Sequence, residues 1–223
     1  CDCHWWAQHI AAKILPEYPV VLLSVDSAID LVYGDLSTGA NFQRILKLAQ
    51  SGTVAGSLTG PPCETFSAAR DIQLESRGPR PLRTAHSPWC LPERSYGEMR
   101  QCATGTELLM NSLQLETTIV CQGGGSIMEH PDEPKDEQKV SVWRLRCHRT
   151  WCMGLPNARR HRIEQWLYGA VGVKPTCLRA FNLGPANVVE NALCSGAELW
   201  RCRPQHGLKG RQANGQFKTA QAK

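Results

Sequence analysis

Apolar residues recur at helical spacing in three stretches of the chain. Between Cys1 and Pro16 they are Trp5, Trp6, Ala7, Ile10, Ala11 and Ile14, and Pro16 ends the pattern. Between Gly39 and Gln50 they are Phe42, Ile45, Leu46 and Ala49, closed by Ser51-Gly52. Tyr96 to about Cys121 reads as a long helix carrying Met99, Cys102, Ala103, Leu108, Leu109, Ser112 and Leu115, its end blurred by β-branched Thr117 to Val120, with Gly123-Gly124-Gly125 after it. Short β-branched and apolar runs lie between: Val20–Val25, Asp30–Tyr33, Thr53–Leu58 and Ser126–Met128. Further on, Val140–Cys147 is expected to be a short helix, and Arg160–Leu167 with Pro175–Phe181 a closing pair of strands. Strands that alternate with helices predict an α/β fold.

Punctuation of these runs sets out the candidate chemistry. Gly60-Pro61-Pro62 cannot continue a ladder, so Cys63 is expected at the carboxyl end of the Thr53–Leu58 strand. In open α/β sheets ligands bind at that edge. A thiol on a Pro-stiffened turn there is a nucleophile if a positive neighbour lowers its pKa, and otherwise a structural or surface cysteine. Glu129-His130-Pro131 follows a second strand, and Asp26 and Asp35 follow the first two. From Asp71 to Arg94 the chain is polar and broken by Pro79, Pro81, Pro88 and Pro92, with Arg77, Arg80 and Arg83 within it and Arg70 just before. It reads as a long irregular loop.

Composition narrows the class. The chain has 223 residues, 42% hydrophobic and 20% charged, enough for one filled core. No apolar run is as long as a membrane span. There is no initiator Met, and residue 1 reads as a cut point in a longer polypeptide. Eleven cysteines at scattered positions point to a reduced, intracellular protein. Neither Cys1-x-Cys3-His4 nor Cys147-His148-x3-Cys152 has a complete ligand set at zinc spacing, so no metal is expected, and the second is read as packing and surface.

The net charge of +5 is unevenly spread: seven Lys/Arg and no acid lie between Lys139 and Ile163, and six and none between Leu199 and Lys223. Either stretch suits phosphate contact, and either suits a solvated basic face or tail. Asp132–Gln138 reads as an acidic surface loop. Residues 1–182 are expected to form the folded domain, and 183–223 a basic, poorly ordered tail.

Gly60-Pro61-Pro62-Cys63-x-Thr65-Phe66-Ser67 resembles the signature loop of DNA cytosine-5 methyltransferases, with Glu64 where that family usually has Gln. Glu129-His130-Pro131 resembles its Glu-Asn-Val or Glu-Asn-Pro element, with His130 for Asn. Arg160-x-Arg162 resembles the end of its Gln-x-Arg-x-Arg motif, with Ala158 for Gln, and Lys174-Pro175-Thr176 a Lys-Pro-Thr element of some members. The resemblance covers roughly residues 20 to 182. It implies a Rossmann-like methyltransferase sheet, mostly parallel with a closing antiparallel strand. The first strand and the Gly-rich loop are not found in this sequence, since no Gly precedes Gly34, so they are expected either upstream of residue 1 in a longer polypeptide or to have been lost from the fold.

The resemblance also implies roles. Cys63 would add to carbon 6 of a flipped cytosine, Glu129 would donate a proton to ring nitrogen 3, and Arg162 would hold the base or Glu129. S-adenosylmethionine would be the cofactor, with Asp26 at its ribose, Asp35 at its adenine and Pro61 lining the pocket. The Arg-rich loop would close over DNA. The expected function is therefore cytosine-5 methylation of DNA, in an intracellular setting that is nuclear if the source is eukaryotic. The alternative is a catalytically inactive, nucleic-acid-binding segment of a mobile-element polyprotein.

Overall fold

A computed structural model describes residues 21–67, 70, 80–164 and 175–183. The expected first helix and the tail after Leu183 lie outside the described residues. The elements are α1 (Gly39–Gln50), β1 (Gly56–Thr59), α2 (Tyr96–Cys121), β2 (Gly125–Pro131), a 3-10 turn (Val142–Arg144), α3 (Arg146–Gly154), β3 (Arg159–Glu164) and β4 (Pro175–Phe181). The fold is α/β, with one four-stranded sheet in the order β1-β2-β4-β3.

The sheet is mixed. β1 pairs with β2 in parallel, Gly56 opposite Gly125 and Thr59 opposite Met128. β4 is antiparallel to both its neighbours, β2 and β3. The expectation of a mostly parallel sheet is corrected in that only one of the pairings is parallel. By direction, however, β1, β2 and β3 run one way and β4 the other. The closing strand is not at the rim: it lies between β2 and β3, so its reversal turns two pairings antiparallel.

Two of the expected strands are not formed. Val21 to Val25 has no ladder partner, and Val21 and Leu23 stay exposed. Asp30 to Tyr33 is a turn, because the Asp30 carboxylate takes the N–H groups of Val32 and Tyr33, at 2.8 and 3.0 Å, that a ladder would need. Buried Asn41 fixes this turn to α1 by donating to the carbonyls of Val32 and Asp35, and Asn111 on α2 donates to that of Leu36. The helix expected over Val140–Cys147 is instead a 3-10 turn followed by α3. Leu145 between them is extended, with φ −60° and ψ 135°. Val142, Trp143 and Leu145 are all buried, so the apolar pattern was correct as a list of core residues.

The helices end where their chemistry dictates. Ser95 and Glu98 form a reciprocal capping box at the start of α2, and Arg80 grips the Glu98 carboxylate through two bonds of 2.7 Å. Past α1 the chain reverses at Gly52, whose φ of +73° suits a residue without a Cβ. α2 serves two cores. Leu109 and Leu113 meet Phe66, Met128, Trp143 and Cys177, while Leu115 and Ile119 meet Phe42, Leu46 and Ala49 of α1.

Pleating decides what each face of the sheet presents. Ser126, Met128 and His130 of β2 are buried against α2 and the Trp143 segment, whereas Ile127, Glu129 and Pro131 look to the more open face.

Candidate functional site

The Gly-Pro-Pro-Cys run leaves the end of β1 beside the end of β2. Thr59 is level with Met128, so Gly60 falls level with Glu129. A Cβ at Gly60 would lie 3.6 Å from Glu129 Oε2. Pro61 is buried, and Cys63 is half-buried at the head of a turn closed by the Phe66 N–H on the Cys63 carbonyl, 3.0 Å. The two motifs named from the sequence thus meet at one edge of the sheet.

Behind the turn stands a cation. Arg83 is buried, its guanidinium 3.8 Å from the centroid of the Phe66 ring. It donates to the carbonyls of Pro88 and Cys102 and to the Thr106 hydroxyl, and burial lowers its pKa. The last part of the Arg-rich loop is therefore packed against α2, with Arg80 and Arg83 committed to the protein. Thr65 lies in the notch left by Gly105: a Cβ there would come within 2.8 Å of Thr65 Oγ1.

The other side of the edge is a charge network. Arg162 Nε binds Asp132 Oδ2 at 2.8 Å, Arg160 binds Asp132 and Glu133 at 3.2 and 2.8 Å, and Arg144 binds Glu133 at 2.6 Å. These residues and Pro134 line an open cleft of about 470 Å³. The loop expected as an acidic surface thus spends its first two carboxylates on three arginines. Arg162 stands opposite Cys177, which stands opposite His130, so pleating places Arg162 on the face away from Glu129. Hence the structure brings Cys63, Pro61 and Glu129 to one edge, and puts Arg162 nearby on the opposite face with Asp132.

Asp26 and Asp35 sit in successive turns. Asp26 Oδ1 accepts from the Ala28 N–H at 2.8 Å. Asp35 Oδ1 accepts from the N–H and hydroxyl of Ser37, which lowers its pKa. Each keeps Oδ2 outside these turn bonds, and a carboxylate oxygen is the acceptor that a nucleoside hydroxyl or amino group requires. In donor chemistry the residues fit S-adenosylmethionine. The strands expected to carry them are absent among the described residues.

Sequence reasoning missed Glu116. It is fully buried on α2, accepts a hydrogen bond from the Thr59 hydroxyl at the end of β1, and is faced by the Ser126 hydroxyl of β2. Burial pushes its carboxyl up to about 7. The signal was present: Glu116 continues the stripe of Leu109, Leu113 and Val120, where spacing calls for an apolar residue. His148 is also buried, edge-to-face with Trp143 at 5.1 Å and tilted against Trp151 at 5.4 Å, so the Cys147-His148 element packs as expected.

Among the described residues no helix is long and apolar enough to cross a membrane. No family model, curated protein or solved structure matches the chain.

Proposed function

We propose that the chain carries the cytosine-binding edge of a Rossmann-like DNA cytosine-5 methyltransferase domain, with Cys63 as nucleophile. The observation that carries this reading is the meeting of the Pro-Pro-Cys turn and Glu129 at the ends of two adjacent parallel strands. The reaction asks for that pairing. The Cys63 thiolate forms a bond to carbon 6, the electron pair moves toward nitrogen 3, and Glu129 in its acid form protonates that nitrogen. Carbon 5 is then electron-rich. Asp26, Asp35 and Pro61 would hold S-adenosylmethionine, which would supply the methyl group for carbon 5. Loss of the carbon 5 proton to a base, expulsion of the Cys63 thiolate and return of the nitrogen 3 proton to Glu129 restore the aromatic ring. Exposed Arg146 and Arg149 on α3 suit phosphates.

A second reading has its own support. With Val21–Val25 outside any strand and one carboxylate oxygen of both Asp26 and Asp35 spent on a turn, the described residues form no strand scaffold on the cofactor side. This favours a nucleic-acid-binding segment without catalysis, as in a mobile-element polyprotein.

DNA containing 5-fluorocytosine, incubated with the chain and S-adenosylmethionine, separates the two. Catalysis gives a covalent complex, since fluorine cannot leave as a proton, and Cys63→Ser abolishes it. Salt-dependent DNA binding without any adduct would leave only the binding segment.

A further inference from the structure

We propose that Glu116 is the positioning residue of the Cys63 turn: its carboxyl fixes the end of β1, from which Gly60-Pro61-Pro62-Cys63 departs, between α2 and β2. The proposal rests on reading Cys63 as the reactive thiol. Thr59, its bonding partner, is the last residue of β1 and immediately precedes Gly60. On the other side Ser126 faces the carboxyl and accepts a hydrogen bond from Ser57, 3.0 Å, so the group spans both parallel strands at the root of the turn. A fully buried acid on the sheet face of a helix loses solvation, and a hydrocarbon there would pack without that loss. What a carboxyl adds is the acceptor that the Thr59 hydroxyl uses at the root of the turn, through Oε1, while Oε2 is buried beside Ser126 without a hydrogen-bond partner.

The surroundings leave Glu116 as the group that titrates near neutrality. Thr59 from β1 and Ser126 from β2 do not ionise in that range. From α3 comes Cys152, whose thiol is pushed up by burial and in part by Glu116 itself. His148 beside Cys152 is held down to about 4 and is neutral. Arg179 of β4 acts on both. Glu116 bonds Thr59, four residues before Cys63, so its ionisation sets a negative charge at the root of the turn, and charge there opposes a thiolate carried by the turn.

The experiment is the pH profile of Cys63 alkylation by iodoacetamide, read on the Cys63 peptide by mass spectrometry, with exposed Cys121 of the same chain as the reference. The native protein should show, besides thiol ionisation, an inflection near pH 7 above which Cys63 falls behind Cys121. Glu116→Gln keeps hydrogen-bonding capacity without the ionisation. It should match the native rate at pH 6, exceed it at least about threefold at pH 8, and lose the inflection, as expected when a nearby charge no longer opposes thiolate formation. Thr59→Val removes the bond that favours the charged form and should move the inflection to higher pH. Superimposable profiles for native and Glu116→Gln proteins, a change shared equally by Cys121, or an unmoved inflection in Thr59→Val would overturn the proposal. Because alkylation needs neither DNA nor cofactor, an absent 5-fluorocytosine adduct beside these profiles would remove methyl transfer and leave the positioning role standing.

Discussion

The guanidinium of Arg83 lies over the Phe66 ring while the Phe66 N–H closes the turn on Cys63, so one buried cation backs the candidate nucleophile's loop. Arg83→Met should strip the stack and leave the Pro88 carbonyl without its donor, while the Cys102 carbonyl keeps the Thr106 hydroxyl, lowering stability by about 2 kcal/mol. Arg83→Lys should recover less than half of that, because one ammonium cannot replace a planar fork. Urea unfolding of the three proteins measures it; a Met variant as stable as the native chain would contradict this anchoring.

Gly105→Ala gains helix propensity and loses space. Its Cβ would press on buried Thr65, and the net effect should be a destabilisation of about 1 kcal/mol, since overpacking exceeds the propensity gain. Adding Thr65→Ala should reverse the sign of the Gly105→Ala effect. The double-mutant cycle by urea denaturation tests this, and additive values would place the two residues out of contact.

Glu116 also shapes stability against pH. Its folded pKa of about 7 lies above the ordinary 4.5, so the folded state holds a proton that the unfolded chain releases. The stability tied to that proton is full below about 4.5 and is lost as pH rises through 7. Relative to Glu116→Gln, the native protein should therefore lose on the order of 3 kcal/mol between pH 4.5 and 8. Urea midpoints across that range provide the check, and parallel curves would refute it.

His148 acts in the opposite sense. Burial first, then Arg179 and Arg160, hold its imidazole down to about 4, so below 6.5 the unfolded chain takes up a proton that the folded one refuses. Stability is lost as pH falls from 6.5 toward 4. Between pH 7 and 4.5 the native chain should lose on the order of 2 kcal/mol more than His148→Phe, which keeps a ring between Trp143 and Trp151. Equal acid limbs in the two unfolding profiles would remove His148 from the titration.

Periodicity named the bounds of α1 and β4 and placed α2 with an approximate end, because in each the apolar spacing and the flanking Ser, Gly or Pro agree. The edge that joins Cys63 to Glu129 was legible for a related reason: Pro-Pro and the Gly run before Ser126 mark strand ends. Val20–Val25 was not, since β-branched composition fits a strand but cannot supply the neighbouring strand a ladder needs. The Arg83 anchor and the tie from Arg162 to Asp132 join residues distant in sequence, and no local pattern records which charge finds which partner.

The place of β4 between β2 and β3 also dictates the order in which the sheet can assemble during synthesis. Until Pro175–Phe181 has been made, β3 has no strand to pair with and β2 is bonded on one side alone. The cleft arginines Arg160 and Arg162, both on β3, therefore reach their acids only when a later segment has threaded into the middle of the sheet. A ribosome-bound chain ending before that segment would have formed at most the β1–β2 pair, so closure is a late, long-range event rather than a hairpin added at the rim.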